Sequence, residues 1–186
     1  MRRILVSYVS LLMTLCTAAI AVAPVRGKYS NPGLAYEVSL PPGVACRSAE
    51  PDYGCGFKIS VRFTESEWKT DSLPSRSMWV SGEMNAGGEN TPERAVQRAS
   101  MGGTSGRAGA SVLRRKSYMA GGLPASEIDI SYHGEEGESL EKIVIVYRER
   151  KGAPNVIYTF GLDTPRKNED NDVRLFHEFV SGFRVR

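Results

Sequence analysis

The chain has 186 residues, with 24 basic and 21 acidic side chains, a formal net charge of +3 and 41% hydrophobic residues. That is room for one domain with a sizeable core, and so small a basic excess excludes a generic binder of nucleic acid or of an anionic membrane surface. Two histidines and three cysteines leave metal and acid–base chemistry few places to sit.

Arg2 and Arg3 precede an apolar run over residues 4–20 that closes on Ala19-Ile20-Ala21, the plan of a secretory leader. Cleavage after Ala21 puts alanine at both positions a signal peptidase reads, whereas cleavage after Ala23 would set Pro24 behind the cut. The run of 17 residues is short for a bilayer span, which needs about 20. Leu15 is too large to precede a lipid-modified Cys16, and the rest of the twin-arginine motif is missing. The expectation is a leader over residues 1–21 removed by the general secretory route, an N-terminal extension over 22–33 and a single domain over 34–186. The product would be periplasmic or secreted, with no stable membrane insertion after cleavage. It would keep 165 residues, 22 of them basic and 21 acidic.

Leu34, Tyr36, Val38 and Leu40 alternate with Ala35, Glu37 and Ser39, which marks a half-buried strand ended by Pro41-Pro42-Gly43. Cys46 and Cys55 follow in a connection rich in turn residues. An even cysteine count in an exported chain reads as a disulfide, which would contribute about 2.7 kcal/mol in the chain-entropy picture. Redox or metal use is disfavoured because Cys-x-x-Cys spacing and nearby histidine are both missing. Alternation returns with Phe57, Ile59, Val61 and Phe63, and a third strand is expected over residues 77–84. The polar segment 65–76 between them reads as a loop; its Trp68, between Glu67 and Lys69, is the first candidate for a contact with a protein partner.

Thr91-Pro92-Glu93 is a helix entry, with a hydroxyl cap, a proline at the first helical position and an acid near the positive dipole end. This helix is expected to be short and to end in the glycine-rich segment Gly102-Gly103-Thr-Ser-Gly106-Arg-Ala-Gly109. A meander of four strands over residues 110–119, 125–133, 140–149 and 155–162 follows, joined by glycine-rich turns. Ile143-Val-Ile-Val146 is apolar on both faces, so its strand is expected to be central and covered on each side. Residues 168–182 form a helix whose stripe of Val173, Phe176, Phe179, Val180 and Phe183 needs a sheet to lie on. The fold class is therefore α+β, an antiparallel sheet of six to seven strands covered by a short helix and a C-terminal helix.

This order of elements resembles the PsbP and Mog-like fold family, which includes secreted bacterial DcrB-like proteins. Local phrases carry the likeness: Tyr36-Glu-Val-Ser-Leu-Pro-Pro-Gly43, Gly56-Phe57, Gly122-Leu-Pro-Ala125, Ile157-Tyr-Thr-Phe-Gly-Leu-Asp-Thr164, and an acidic helix finishing in Ser181-Gly-Phe-Arg184. The resemblance implies an α/β/α sandwich and a mostly non-enzymatic role in binding partners. No catalytic residue, metal position or cofactor carries over from it.

His133, at a strand end, and His177, flanking the apolar face of the last helix, read as structural or solvated. No nucleophile elbow, zinc-protease pair or phosphate loop is present. Gly102 to Gly109, with Arg107 at its edge, follows a helix and so turns the wrong dipole end toward an anion. The acids Glu135, Glu136, Glu138 and Glu141 fit no calcium loop and read as a solvated hairpin tip, and Glu169-Asp170-Asn171-Asp172 as a charged helix start. Arg148 and Arg150 share a face and offer a basic strip for an acidic partner, against cross-strand pairing of the strand cations with Glu127 or Asp129.

The expected role is an exported, non-catalytic protein-binding module without a cofactor, in the specific case an inhibitor or immunity factor against an envelope-acting enzyme. The alternatives are an envelope assembly or stress accessory protein, and a hydrolase in which His133 or His177 meets a carboxylate only after folding.

Overall fold

The computed structural model describes residues 26–52, 56–62, 76–85 and 91–186. In chain order these form β1 (Lys28–Asn31), β2 (Tyr36–Ser39), β3 (Ala45–Asp52), β4 (Gly56–Arg62), β5 (Ser77–Asn85), α1 (Pro92–Thr104), β6 (Ser111–Ala120), β7 (Leu123–Gly134), β8 (Gly137–Arg148), β9 (Asn155–Pro165), α2 (Glu169–Ser181) and β10 (Phe183–Val185). Seven strands make one sheet in the order β3-β4-β5-β9-β8-β7-β6, and β1-β2-β10 make a second. Every pair is antiparallel.

The expected α+β class, with an antiparallel sheet under helical cover, is what the molecule has. The large sheet has seven strands, within the expected six to seven. The described residues add a second sheet of three, because β1 and β10 are too short to show a period, and β3 runs through the cysteine-bearing segment that reads as a connection in the sequence. Helix α1 includes Gly102 and Gly103 and ends at Thr104, inside the glycine-rich segment where its end is expected. Gly103 serves a close approach: a Cβ there would lie 2.3 Å from Ile130 Cδ1 and 2.6 Å from Glu141 Oε2. Gly103 lets α1 lie close on the sheet, while Gly102 faces outward.

Alternation along β7, β8 and β9 sorts the side chains to two faces. On one, Ile128, Ile130, Ile143, Ile145 and Ile157 pack under Ala95 of α1. On the other, Val144, Val146, Tyr158 and Phe160 meet Phe176 and Phe179 of α2, together with Tyr36 and Val38 of β2 and Phe183 of β10. The expected double cover of Ile143-Val-Ile-Val146 is therefore present, all four being buried. Rings meet tilted or edge to face at the join between the sheets, with Tyr158 and Phe183 centroids 5.0 Å apart and Phe160 and Phe183 5.4 Å apart. The Tyr158 hydroxyl donates to the Leu34 carbonyl at 2.8 Å, tying the small sheet to the large one, and the Arg186 amide donates to the Ala35 carbonyl at 2.9 Å, continuing the β2–β10 pairing.

Helix α1 begins as its sequence dictates, Thr91 Oγ1 accepting from the Arg94 amide at 3.3 Å with Pro92 at the first helical position. Helix α2 carries an acid inside its apolar stripe. Asp172 is fully buried and accepts from Arg76 Nε at 2.7 Å and from the Thr164 hydroxyl at 2.6 Å. This clamp fixes the start of α2 on the end of β9.

Gly161 sits opposite Trp79 in the β5–β9 register, and a Cβ at that position would lie 2.1 Å from Trp79 Cε2. Since an indole cannot bend aside, Gly161→Ala is expected to destabilise the fold by about 1–3 kcal/mol. Chemical denaturation with near-ultraviolet circular dichroism checks this, and an unchanged midpoint with an unchanged tryptophan band would contradict it.

Candidate functional site

Strand β7 places Glu127 and Asp129 on the α2 face, and β8 places Lys142 between them. Lys142 is 2% exposed, yet its Nζ lies 3.0 Å from Glu127 Oε1 and 2.5 Å from Asp129 Oδ1. The edge strand β6 adds cations from outside. Arg114 reaches Asp129 Oδ2 at 2.8 Å and Glu127 Oε1 at 3.6 Å, and Lys116 lies 3.8 Å from Glu127 Oε2. From α2, His177 Nε2 comes to 3.5 Å from Glu127 Oε2. Three permanent cations thus face two carboxylates, with an imidazole beside them.

Glu127 is 2% exposed, and its oxygens meet these cations as ion-pair partners without well-directed hydrogen bonds. Burial works to raise its pKa, but the His177 imidazole and the charges of Lys142 and Lys116 outweigh it and hold the carboxyl at about 2. Burial and the Glu127 charge push the Tyr118 phenol upward in turn. Next to this group a cavity of about 390 Å³ opens between β6 and the C-terminal half of α2, walled by Lys116, Tyr118, Glu127, His177, Val180 and Arg184.

Strand β6 is one edge of the seven-stranded sheet, β3 the other, and no strand among the described residues pairs with its outer side. Residues 111–117 are exposed, among them Val112 and Leu113, and Met119 is 62% exposed. Apolar side chains together with Arg114, Arg115 and Lys116 make this edge unlike a simple charged guard.

The opposite face of the sheet holds a different acid pair. Arg107 lies 2.8 Å from Glu141 Oε2 and 3.6 Å from Asp163 Oδ2, with its guanidinium 4.4 Å above the Tyr132 ring. Tyr132 donates to Asp163. Burial dominates here and raises both carboxyls, the Arg107 charge opposing it. A cleft of about 280 Å³ beside α1 is lined by Trp79, Ala95, Ala99, Ile145 and Ile157.

The residues named from the sequence fall as follows. Cys46 lies on β3, while Cys55 and Trp68, like the leader, lie outside the described residues. Arg148 ends β8 and its guanidinium donates to the carbonyls of Ala35 at 3.4 Å and Arg186 at 3.0 Å, bracing the two sheets. Arg150 lies beyond the strand, its amide donating to Asn155 Oδ1 at 2.9 Å. The two do not form a strip on one strand face. The cross-strand pairing weighed against them is made by Arg114, Lys116 and Lys142. His133 is held at the end of β7, its amide donating to the Ala108 carbonyl. Of the hairpin acids, Glu136 pairs with Lys167 at 2.5 Å and Glu141 lies inside the sheet.

Lys142 and the burial of Asp172, Glu127 and Asp129 escape the sequence, in which Asp172 belongs to a charged helix start. A lysine inside an apolar strand, and an acid four residues before Phe176 on one helical stripe, are the signals that point to them. Among the described residues no His, Cys, Asp and Glu grouping could hold a metal ion, and no helix is long and apolar enough to cross a membrane.

No family model matches the sequence, and no curated protein is significantly similar to it. Solved structures do match. LpqN of Mycobacterium tuberculosis, a protein involved in cell envelope biogenesis, superposes with a TM-score of 0.60 at 14% identity, over 88% of this chain and 89% of its own. The cyanobacterial PsbP (CyanoP) of Synechocystis sp. PCC 6803 superposes with a TM-score of 0.60 at 15% identity, over 94% and 99% of the two chains. The chain has a PsbP-like fold. At these identities the PsbP-like fold is what is shared, and the ion cluster and basic edge stand on this chain's own residues.

Because the folded pKa of Glu127 lies below its free value of 4.5, its ionised form stabilises the fold above pH 4.5, and that contribution is lost as pH falls toward 2. Glu127→Gln is expected to cost on the order of 3 kcal/mol at pH 7 and progressively less as acid protonates the parent. Urea denaturation from pH 3 to 7 measures it; a loss independent of pH would contradict the assignment.

Proposed function

We propose that this chain is an exported, non-catalytic protein-binding module of the cell envelope, and in the finer reading an inhibitor or immunity factor that blocks an envelope-acting enzyme. The observation that carries the reading is the exposed β6 edge, where apolar and basic side chains border a cavity and no structural partner among the described residues covers them. Three further points support it. The leader-like start suits export, the PsbP-like fold is shared with LpqN, and the Ser181 hydroxyl beside His177 donates at 2.8 Å to the Glu178 carbonyl instead of to the imidazole. Trp68 remains the loop residue proposed for contact, with Arg148 and Arg150 as secondary candidates.

The pairing of His177 with Glu127 is the specific observation that favours the hydrolase alternative, since folding alone brings this imidazole to a carboxylate. The readings separate on one experiment. Purified protein offered ester, peptide and glycoside substrates is expected to show no turnover above background, and His133→Ala with His177→Ala is expected to leave partner binding within about twofold of the parent. Turnover abolished by His177→Ala would overturn the proposal. For export, intact mass and thiol titration of envelope material should find a 165-residue product starting at Val22 with no free thiol. A 186-residue product or two free thiols would contradict it.

A further inference from the structure

Resting on the binding-module reading, we propose that the segment of β6 from Arg114 to Ala120 takes an extended acidic segment of the protein partner as an added strand of the sheet. Gly121 and Gly122 form the two-residue turn between β6 and β7, with φ of 57° and 81°. Left-handed values at both positions define the type I′ hairpin, whose flanking pair exchanges both of its hydrogen bonds. That pair is Ala120 and Leu123. The antiparallel ladder then alternates, so Tyr118, Lys116 and Arg114 spend their backbone groups on Ala125, Glu127 and Asp129. Met119, Ser117 and Arg115 therefore turn their N–H and C=O groups away from β7, to the side where the sheet ends. The regular ladder runs from Arg114 onward, because the register shifts between Val112 and Arg114.

Side chains fix the chemistry of what pairs there. Arg114 and Lys116 project to the α2 face, 58% and 45% exposed at the side chain, and Glu127 and Asp129 beneath them already have Lys142 as an internal counter-charge. Arg115 projects to the other face and donates to Ser100 Oγ at 3.1 Å, with no carboxylate partner among the described residues. An added strand thus meets excess positive charge on both faces. A second copy of β6 would set these cations against each other, which disfavours self-pairing and calls for acidic side chains in the occupant. Leu113, 53% exposed, and Met119 flank the basic stretch as apolar contacts at its two ends.

The test uses the leaderless protein and synthetic ten-residue peptides that alternate Glu with Val, alternate Lys with Val, or carry N-methyl groups on every second amide of the Glu form. Amide NMR is expected to show the Glu peptide shifting β6, with new exchange protection at Arg115, Ser117 and Met119 and none at Arg114, Lys116 and Tyr118. The Lys and N-methylated peptides are expected to bind at least about tenfold more weakly. Ser117→Pro removes one outward N–H at an edge that tolerates proline, and should weaken binding by about tenfold with the melting curve kept. Arg115→Glu gives the same loss without touching the backbone. Protection of all six amides alike, indifference to N-methylation, or no binding at about 1 mM peptide overturns the proposal. Shifts confined to the cleft beside α1 overturn it too, yet leave the binding-module reading standing. Substrate turnover abolished by His177→Ala removes that reading without moving the β6 result.

Discussion

The interaction on which the arrangement depends is the burial of one lysine between two carboxylates. Lys142 occupies a central strand of a sheet covered on both faces, where an unpaired ammonium would be costly by several kcal/mol. Glu127 and Asp129 supply the compensation from the neighbouring strand. On the same face His177 of α2 comes to 3.5 Å from Glu127, beside the packing of Phe176 and Phe179 on the sheet. Removing any one member leaves the others charged and dry, so the cluster acts as a register pin for β6, β7, β8 and α2 together.

The same arithmetic of charge shapes the surface. With Lys142 answering the two acids from inside, Arg114 and Lys116 are only partly spent on them, and their exposed ends leave the β6 edge positive although the chain as a whole is close to neutral. The other face works in the opposite sense. There Arg107 serves both Glu141 and Asp163, and burial raises both carboxyls, so the apolar cleft beside α1 has its charge answered within the face, and only Arg115 at the β6 edge is left without a carboxylate among the described residues. One sheet thereby carries a charged, exposed edge and an internally neutralised ion cluster on each face.

Much of this frame is legible before folding. Period-two alternation locates β2, β4 and β7, the turn at Gly152-Ala-Pro154 places β9, the double-sided run of Ile143 to Val146 marks β8 as central, and the cap at Thr91 and the stripe of Phe176 and Phe179 locate the helices. What escapes has physical reasons. β1 and β10 are too short to hold a period and exist only because β2 lies between them. The alternation of Glu127 and Asp129 with Ile128 and Ile130 imitates a solvated face, and only the distant docking of α2 turns that face inward. Arg114 and Arg148 look alike in sequence, yet pairing makes one an edge cation and the other a brace between sheets. Cross-strand register is what separates them, and no local pattern states it.

The central claim is that Glu127 is ionised in the interior and neutralised from within, leaving the edge cations to face outward. Carbon-13 NMR titration of the Glu127 side-chain carboxyl between pH 2 and 7 tests it most directly. The account predicts a carboxylate that stays ionised far below the usual glutamate range, with its midpoint near pH 2 and unmoved by Arg114→Ala. A midpoint at or above 4.5, or one that rises to the ordinary range when Arg114 is removed, would contradict it.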